Sequence, residues 1–79
     1  MLTSTREDIQ LWTDETGTPA RLVWRGERWR VIDRPTENET NGALWATWRF
    51  TMRSDVDHRT VVGDVERTAH QWAFIAAYE

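Results

Sequence analysis

Apolar residues along this chain fall mostly on alternate positions, and turn-forming residues break the alternation roughly every eight to twelve residues. Period-two patterning interrupted at that spacing is the signature of antiparallel strands joined by short turns. It predicts six strands, over residues 7–13, 20–24, 27–33, 44–53, 59–66 and 71–78. Residues 1–6 read as a flexible lead-in, and 14–19, with Gly17 and Pro19, as a polar loop. Arg25-Gly26 reads as a two-residue hairpin turn. The stretch 35–42 reads as the one long polar loop. The expected fold is a single all-β domain, a six-stranded antiparallel meander curled into a small barrel or a strongly bent sheet that hides its edges.

The hairpins can be registered against one another. With 55–58 as a loop, Trp48 faces Val65, Phe50 faces Gly63, Met52 faces Val61, and Arg49 faces Asp64 on the outer side. With 67–70 as the next loop, Val65 faces Trp72 and Gly63 faces Phe74, so the glycine makes room between two phenylalanine rings. The core expected on this basis is Ile9, Leu11, Leu22, Trp24, Trp29, Val31, Trp48, Phe50, Met52, Val61, Val65, Trp72, Phe74 and Tyr78.

Size makes the aromatics matter. A chain of 79 residues buries only ~60% of the surface its unfolded form exposes. The six tryptophans offset this, since each buried aromatic removes ~150–250 Å² from water. Without cysteine, neither a disulfide nor a thiolate metal site can brace the fold. Residues 1–6 lack the apolar run of a secretory signal, and no stretch reaches the ~18 apolar residues of a membrane span. These features lead us to expect a soluble cytoplasmic protein with no membrane partner. In a chain that is not exported, the Asn38-Glu39-Thr40 glycosylation triplet has no consequence.

Catalytic and cofactor patterns are missing from the sequence. Ser4 and Ser54 lie in no nucleophile elbow, and four scattered glycines form no phosphate-cradling loop. His58 and His70 fall in consecutive loops, hence at opposite ends of a meander, and read as solvated side chains. Residues 55–66 carry acids at three calcium-loop positions, but Arg59 and Thr60 stand where an oxygen ligand and a glycine are needed. No enzyme activity, metal or cofactor is expected.

Charge is distributed unevenly. The net charge is −3 at neutral pH, and all ten basic residues are arginine, which binds carboxylates and phosphates through two parallel hydrogen bonds. Residues 1–20 sum to −3, 21–34 to +3 and 35–79 to −3. If Leu11 pairs with Leu22 and Arg25-Gly26 is a tight turn, Trp12, Arg21 and Arg30 form one ladder on the outer face. Arg25 and Arg28 flank it, and Trp45, Arg49 and Arg53 share the outer side of the next strand. Such a face suits a protein-binding hot spot, a single-stranded nucleic-acid platform, or a plain solvated surface.

One resemblance bears on the choice. The segment Pro19-Ala20-Arg21-Leu22-Val23-Trp24-Arg25-Gly26, then Arg28-Trp29, Val31, Trp48-Arg49-Phe50, Trp72 and Tyr78-Glu79 resemble a small uncharacterised domain family of high-GC, actinobacterial-type bacteria. The resemblance runs from about Leu11 onward, with departures at 35–42 and at Ala76-Ala77. That family is often encoded beside, or joined to, Y-family damage-tolerance polymerases and their inactive relatives. The resemblance implies an accessory role, a module that docks on a DNA-repair protein, and implies no catalytic residue. The expectation is therefore a non-enzymatic adaptor whose hypothetical binding residues are Trp12, Arg21, Arg25, Arg28, Arg30, Trp45, Arg49 and Arg53. The alternatives are single-stranded nucleic-acid binding by the same face and a structural homodimer formed through an exposed edge strand.

Overall fold

A computed structural model of the chain describes residues 2–40, 45–69 and 71–79. It is built from β1 (Leu2–Thr13), β2 (Pro19–Trp24), β3 (Glu27–Val31), β4 (Thr36–Thr40), β5 (Trp45–Ser54), β6 (Thr60–Arg67) and β7 (Trp72–Tyr78). Among the described residues there is no helix, and so none long and apolar enough to cross a membrane.

Two three-stranded meanders, β1–β2–β3 and β5–β6–β7, make the wall. Pairing of β1 with β7 and of β3 with β5 closes it into a six-stranded antiparallel barrel. The seventh strand is β4. It runs along the same edge of β5 as β3 does, after residues 32–35 bow outward opposite Phe50 and Thr51. The bow is pinned by the Ile32 amide donating to the Thr51 carbonyl at 2.9 Å and the Thr51 amide to Asp33 Oδ1 at 2.9 Å.

Two sequence expectations need correcting here. The stretch expected as a long loop contains β4, which pairs in register with β5 from Thr36↔Arg49 to Thr40↔Trp45. The lead-in expected to be flexible belongs to β1 from Leu2 onward and pairs with β7.

The β2–β3 turn has the expected two residues, with φ of 53° at Arg25 and 78° at Gly26. Positive φ at both positions is the type I′ geometry whose twist matches that of the flanking strands. The β5–β6 register is also as expected, with Phe50↔Gly63, Trp48↔Val65 and Met52↔Val61.

The β6–β7 register differs. Val65 faces Phe74, Gly63 faces Ala77, and Trp72 stands opposite Arg67, because Ile75 is an extra residue in β7 beside Asp64 and Val65. A bulge of one residue reverses which face the rest of the strand presents. Inward positions pass from Phe74 to Ala77, and Tyr78 turns out of the barrel.

The core is Leu22, Trp24, Trp29, Phe50, Met52, Val61, Val65, Phe74 and Ala77, with Ile9, Leu11, Val31, Trp48 and Trp72 packed partly buried against it. Every expected core residue is present except Tyr78. At its centre Trp24 stacks on Phe74 at 4.3 Å between ring centroids and meets Trp29 at 5.6 Å. Gly63 makes room as expected, but for the Phe74 ring and Met52 Sδ rather than for two phenylalanines.

Candidate functional site

The outer surface divides into two parts by what its arginines touch. On β5, β6 and β7 the acids Asp64 and Glu66 are engaged by arginines, while Arg67 at the end of β6 is exposed and without an ion pair among the described residues. Arg49 forks onto both oxygens of Asp64 at 2.8 and 3.0 Å, and its guanidinium also donates to the Tyr78 hydroxyl at 2.8 Å. That hydroxyl donates to Asp64 at 2.9 Å, which, with partial desolvation, pushes the Tyr78 phenol above its ordinary range. Arg6, on β1, reaches across to Glu66 at 2.7 Å.

Two further arginines close one end of the barrel. Arg25 lies over the Trp24 ring at 4.6 Å and bonds both oxygens of Glu7 at 3.1 and 3.3 Å. Those bonds, and then the Thr5 hydroxyl, hold the Glu7 carboxyl below its usual range. Arg59 lies over the Trp29 ring at 5.3 Å and bonds Glu27 at 3.3 Å. Glu27 also accepts from the buried Ser54 hydroxyl at 3.1 Å.

The arc made of β1, β2, β3 and the end of β5 is different. Trp12↔Arg21, Arg21↔Arg30 and Arg30↔Arg53 are directly opposed pairs, so one row of side chains crosses four strands. The next outward row is Gln10↔Val23↔Arg28. The guanidinium groups of Arg21, Arg28, Arg30 and Arg53 are exposed and make no ion pair or hydrogen bond among the described residues. Like charges placed opposite each other in a sheet destabilise it.

Exposed apolar groups gather at the same place. Among the described residues the exposed large hydrophobics are Trp12 at 50%, Ile32 at 41% and Val56 at 76%. Trp12 ends the arginine row. Ile32 follows Arg30 by two positions on the same strand line, and Val56 follows Asp55, whose amide donates to the Arg28 carbonyl at 3.0 Å. Between the two outward rows lies a groove of about 620 Å³ lined by Gln10, Trp12, Arg21, Val23, Arg28 and Asp55, among others.

Of the residues expected from sequence to form a binding face, Trp12, Arg21, Arg28, Arg30 and Arg53 are brought together. Arg25 and Arg49 stand apart, because Glu7 and Asp64 engage them. Trp45 takes its place on β5 opposite Thr40, and its side chain lies outside what is described, as does His70. His58 is exposed, with φ of 60° in the β5–β6 turn. Val23, Gln10, Ile32 and Val56 were not singled out from sequence. For Val23 there was a signal, an aliphatic residue at an outward position between Arg21 and Arg25.

No three His, Asp or Glu side chains converge to hold a metal among the described residues. In comparisons with protein-family models, curated proteins and solved structures, the chain matches none.

Proposed function

We propose that this domain is a non-enzymatic interaction module that docks an acidic segment of a partner protein on the outer face of β1, β2, β3 and β5. The carrying observation is the run Arg21–Arg30–Arg53, three cations directly opposed across strands without an acid between them. Elsewhere the same chain sets acids opposite arginines, as at Arg49↔Asp64. An unneutralised row is what a partner's carboxylates would complete, with bidentate geometry that arginine supplies and lysine does not.

A protein partner is favoured by the apolar groups around the row. Trp and Arg dominate binding hot spots, and exposed aliphatics such as Ile32 and Val56 add desolvation area at a protein interface. The width of the face points the same way. Four strands span only ~14 Å, and outside the four arginines of this face the chain carries −7 against a total of −3. A long phosphate backbone leaving that strip would meet acidic surface, whereas a short acidic cluster would not. In a bacterial cell, the resemblance to domains encoded beside damage-tolerance polymerases makes polymerase-like repair proteins the first partners to try.

A second reading, single-stranded nucleic-acid binding, is favoured by one observation: the row crosses the strands and ends in an exposed tryptophan, where a base can stack. Salt separates the two. On a single strand, log affinity falls with log salt by about 0.7 for each phosphate neutralised. The test is a fluorescence titration with an acidic peptide and with a mixed-sequence oligonucleotide, at low and physiological salt. Peptide binding that survives physiological salt and disappears in Arg21→Glu/Arg30→Glu supports docking. Steeply salt-dependent oligonucleotide binding would replace it, and failure of both probes would overturn the docking face.

A further inference from the structure

Resting on that docking reading, we propose that the groove beside the arginine row is an anchor pocket, so that the segment recognised is acidic residues flanking one large apolar side chain. The sequence places Val23 at an outward position of β2, two residues from Arg21 and level with Gln10 and Arg28. An aliphatic side chain there is only half-buried by its neighbours and lines the groove. The Trp12 ring forms the far wall with half of its surface still open to water. Arg21 and Arg28 stand on the two rows that bound the groove, and its volume of about 620 Å³ falls within the ~300–1,000 Å³ typical of specific pockets.

This arrangement pairs an apolar floor with a rim of two arginines, Arg21 and Arg28, and one acid, Asp55. An apolar side chain entering between Trp12 and Val23 would be desolvated on both sides, and carboxylates before and after it would reach Arg28 and the Arg21–Arg30–Arg53 row. The order matters for specificity. Charge alone recruits any acidic chain, while the anchor selects one that carries a Phe or Leu in register. Gln10, opposite Val23, offers an amide that can bond the backbone of a segment lying across the groove.

The test uses the whole chain and two short acidic peptides identical except for a central Phe or Ala, titrated by amide chemical shifts and tryptophan fluorescence. The Phe peptide should bind at least about tenfold more tightly, a difference of ~1.4 kcal/mol, and should shift the Gln10, Trp12 and Val23 amides most. Val23→Gln should abolish the preference, the affinity for the Phe peptide falling to that for the Ala peptide. Gln10→Phe, which fills the groove from an exposed position, should also abolish the preference without touching the core. Equal binding of both peptides overturns the anchor pocket and leaves the docking face standing. Binding of neither peptide overturns both, and preference for oligothymidylate over either peptide gives the groove to a base instead.

Discussion

Gly63 lies flat against Phe74: a β-carbon added to the glycine would stand 2.9 Å from two ring carbons. The ring cannot retreat easily, since it is fully buried and stacks on Trp24 at 4.3 Å between centroids. Gly63→Ala should therefore cost about 1–3 kcal/mol of stability by overpacking. Urea unfolding of Gly63→Ala, Phe74→Leu and the double variant checks this. The double variant should be more stable than the sum of the single losses predicts, because the smaller side chain gives the new methyl its space.

Arg30 and Arg49 should behave in opposite ways. Arg49 bonds Asp64 and Tyr78, so Arg49→Thr should lower the melting temperature and leave peptide binding intact. Arg30 faces Arg21 and Arg53, so Arg30→Thr should leave stability unchanged or raise it by about a few tenths of a kcal/mol, relieving like-charge opposition. The same change should weaken binding of the acidic peptides. Stability purchased at the expense of binding is the mark of a functional position.

Tyr78 is the sole tyrosine, so its ionisation can be followed directly by difference absorbance. Its hydrogen bond to Asp64 raises its pKa above the ordinary 10.0. A raised folded value means stability that is fully present below the ordinary tyrosine value and lost as pH rises through the folded one. Asp64→Asn should bring the titration back toward 10.0, and Tyr78→Phe should remove this component of the alkaline loss.

At the acid end the sign reverses. Arg25, then Thr5, depress the Glu7 carboxyl below 4.5, so its contribution is present above that value and lost as pH falls through the folded one. Asp14, held low by the Thr16 hydroxyl and nearby amides, and Asp57, held low by the Arg59 amide, act in the same direction. Thermal melts through the acid range should fall less steeply for Glu7→Gln, from a lower plateau at neutral pH.

What could be read from the sequence depended on whether a feature was local. The ladder Trp12–Arg21–Arg30 and the Phe50–Gly63 register follow from alternation plus a turn of known length, and both are found. Tyr78 was misassigned because a single bulged residue, Ile75, inverts the face of everything after it, and period-two counting carries no sign of a bulge. β4 was missed because Thr36–Thr40 has no apolar alternation; one neighbour, β5, holds it through backbone hydrogen bonds. The arginine row was legible up to Arg30. Its continuation to Arg53 required the closure of β3 onto β5, a contact between two separate meanders.

The pairing of β1 with β7 carries a cost during synthesis. The first half of β1 is made well before its partner, and until β7 leaves the ribosome it is a bare template on which another nascent chain could stack. Its residues answer that hazard. Thr3, Ser4, Thr5, Arg6, Glu7 and Asp8 place three hydroxyls and three charges along the waiting strand, which favours its solvation while it is single. In the finished barrel, Arg6 bonds Glu66 on β6, and Gln71, just ahead of β7, donates to Asp8, so groups that kept strangers away come to hold the second meander against the first strand.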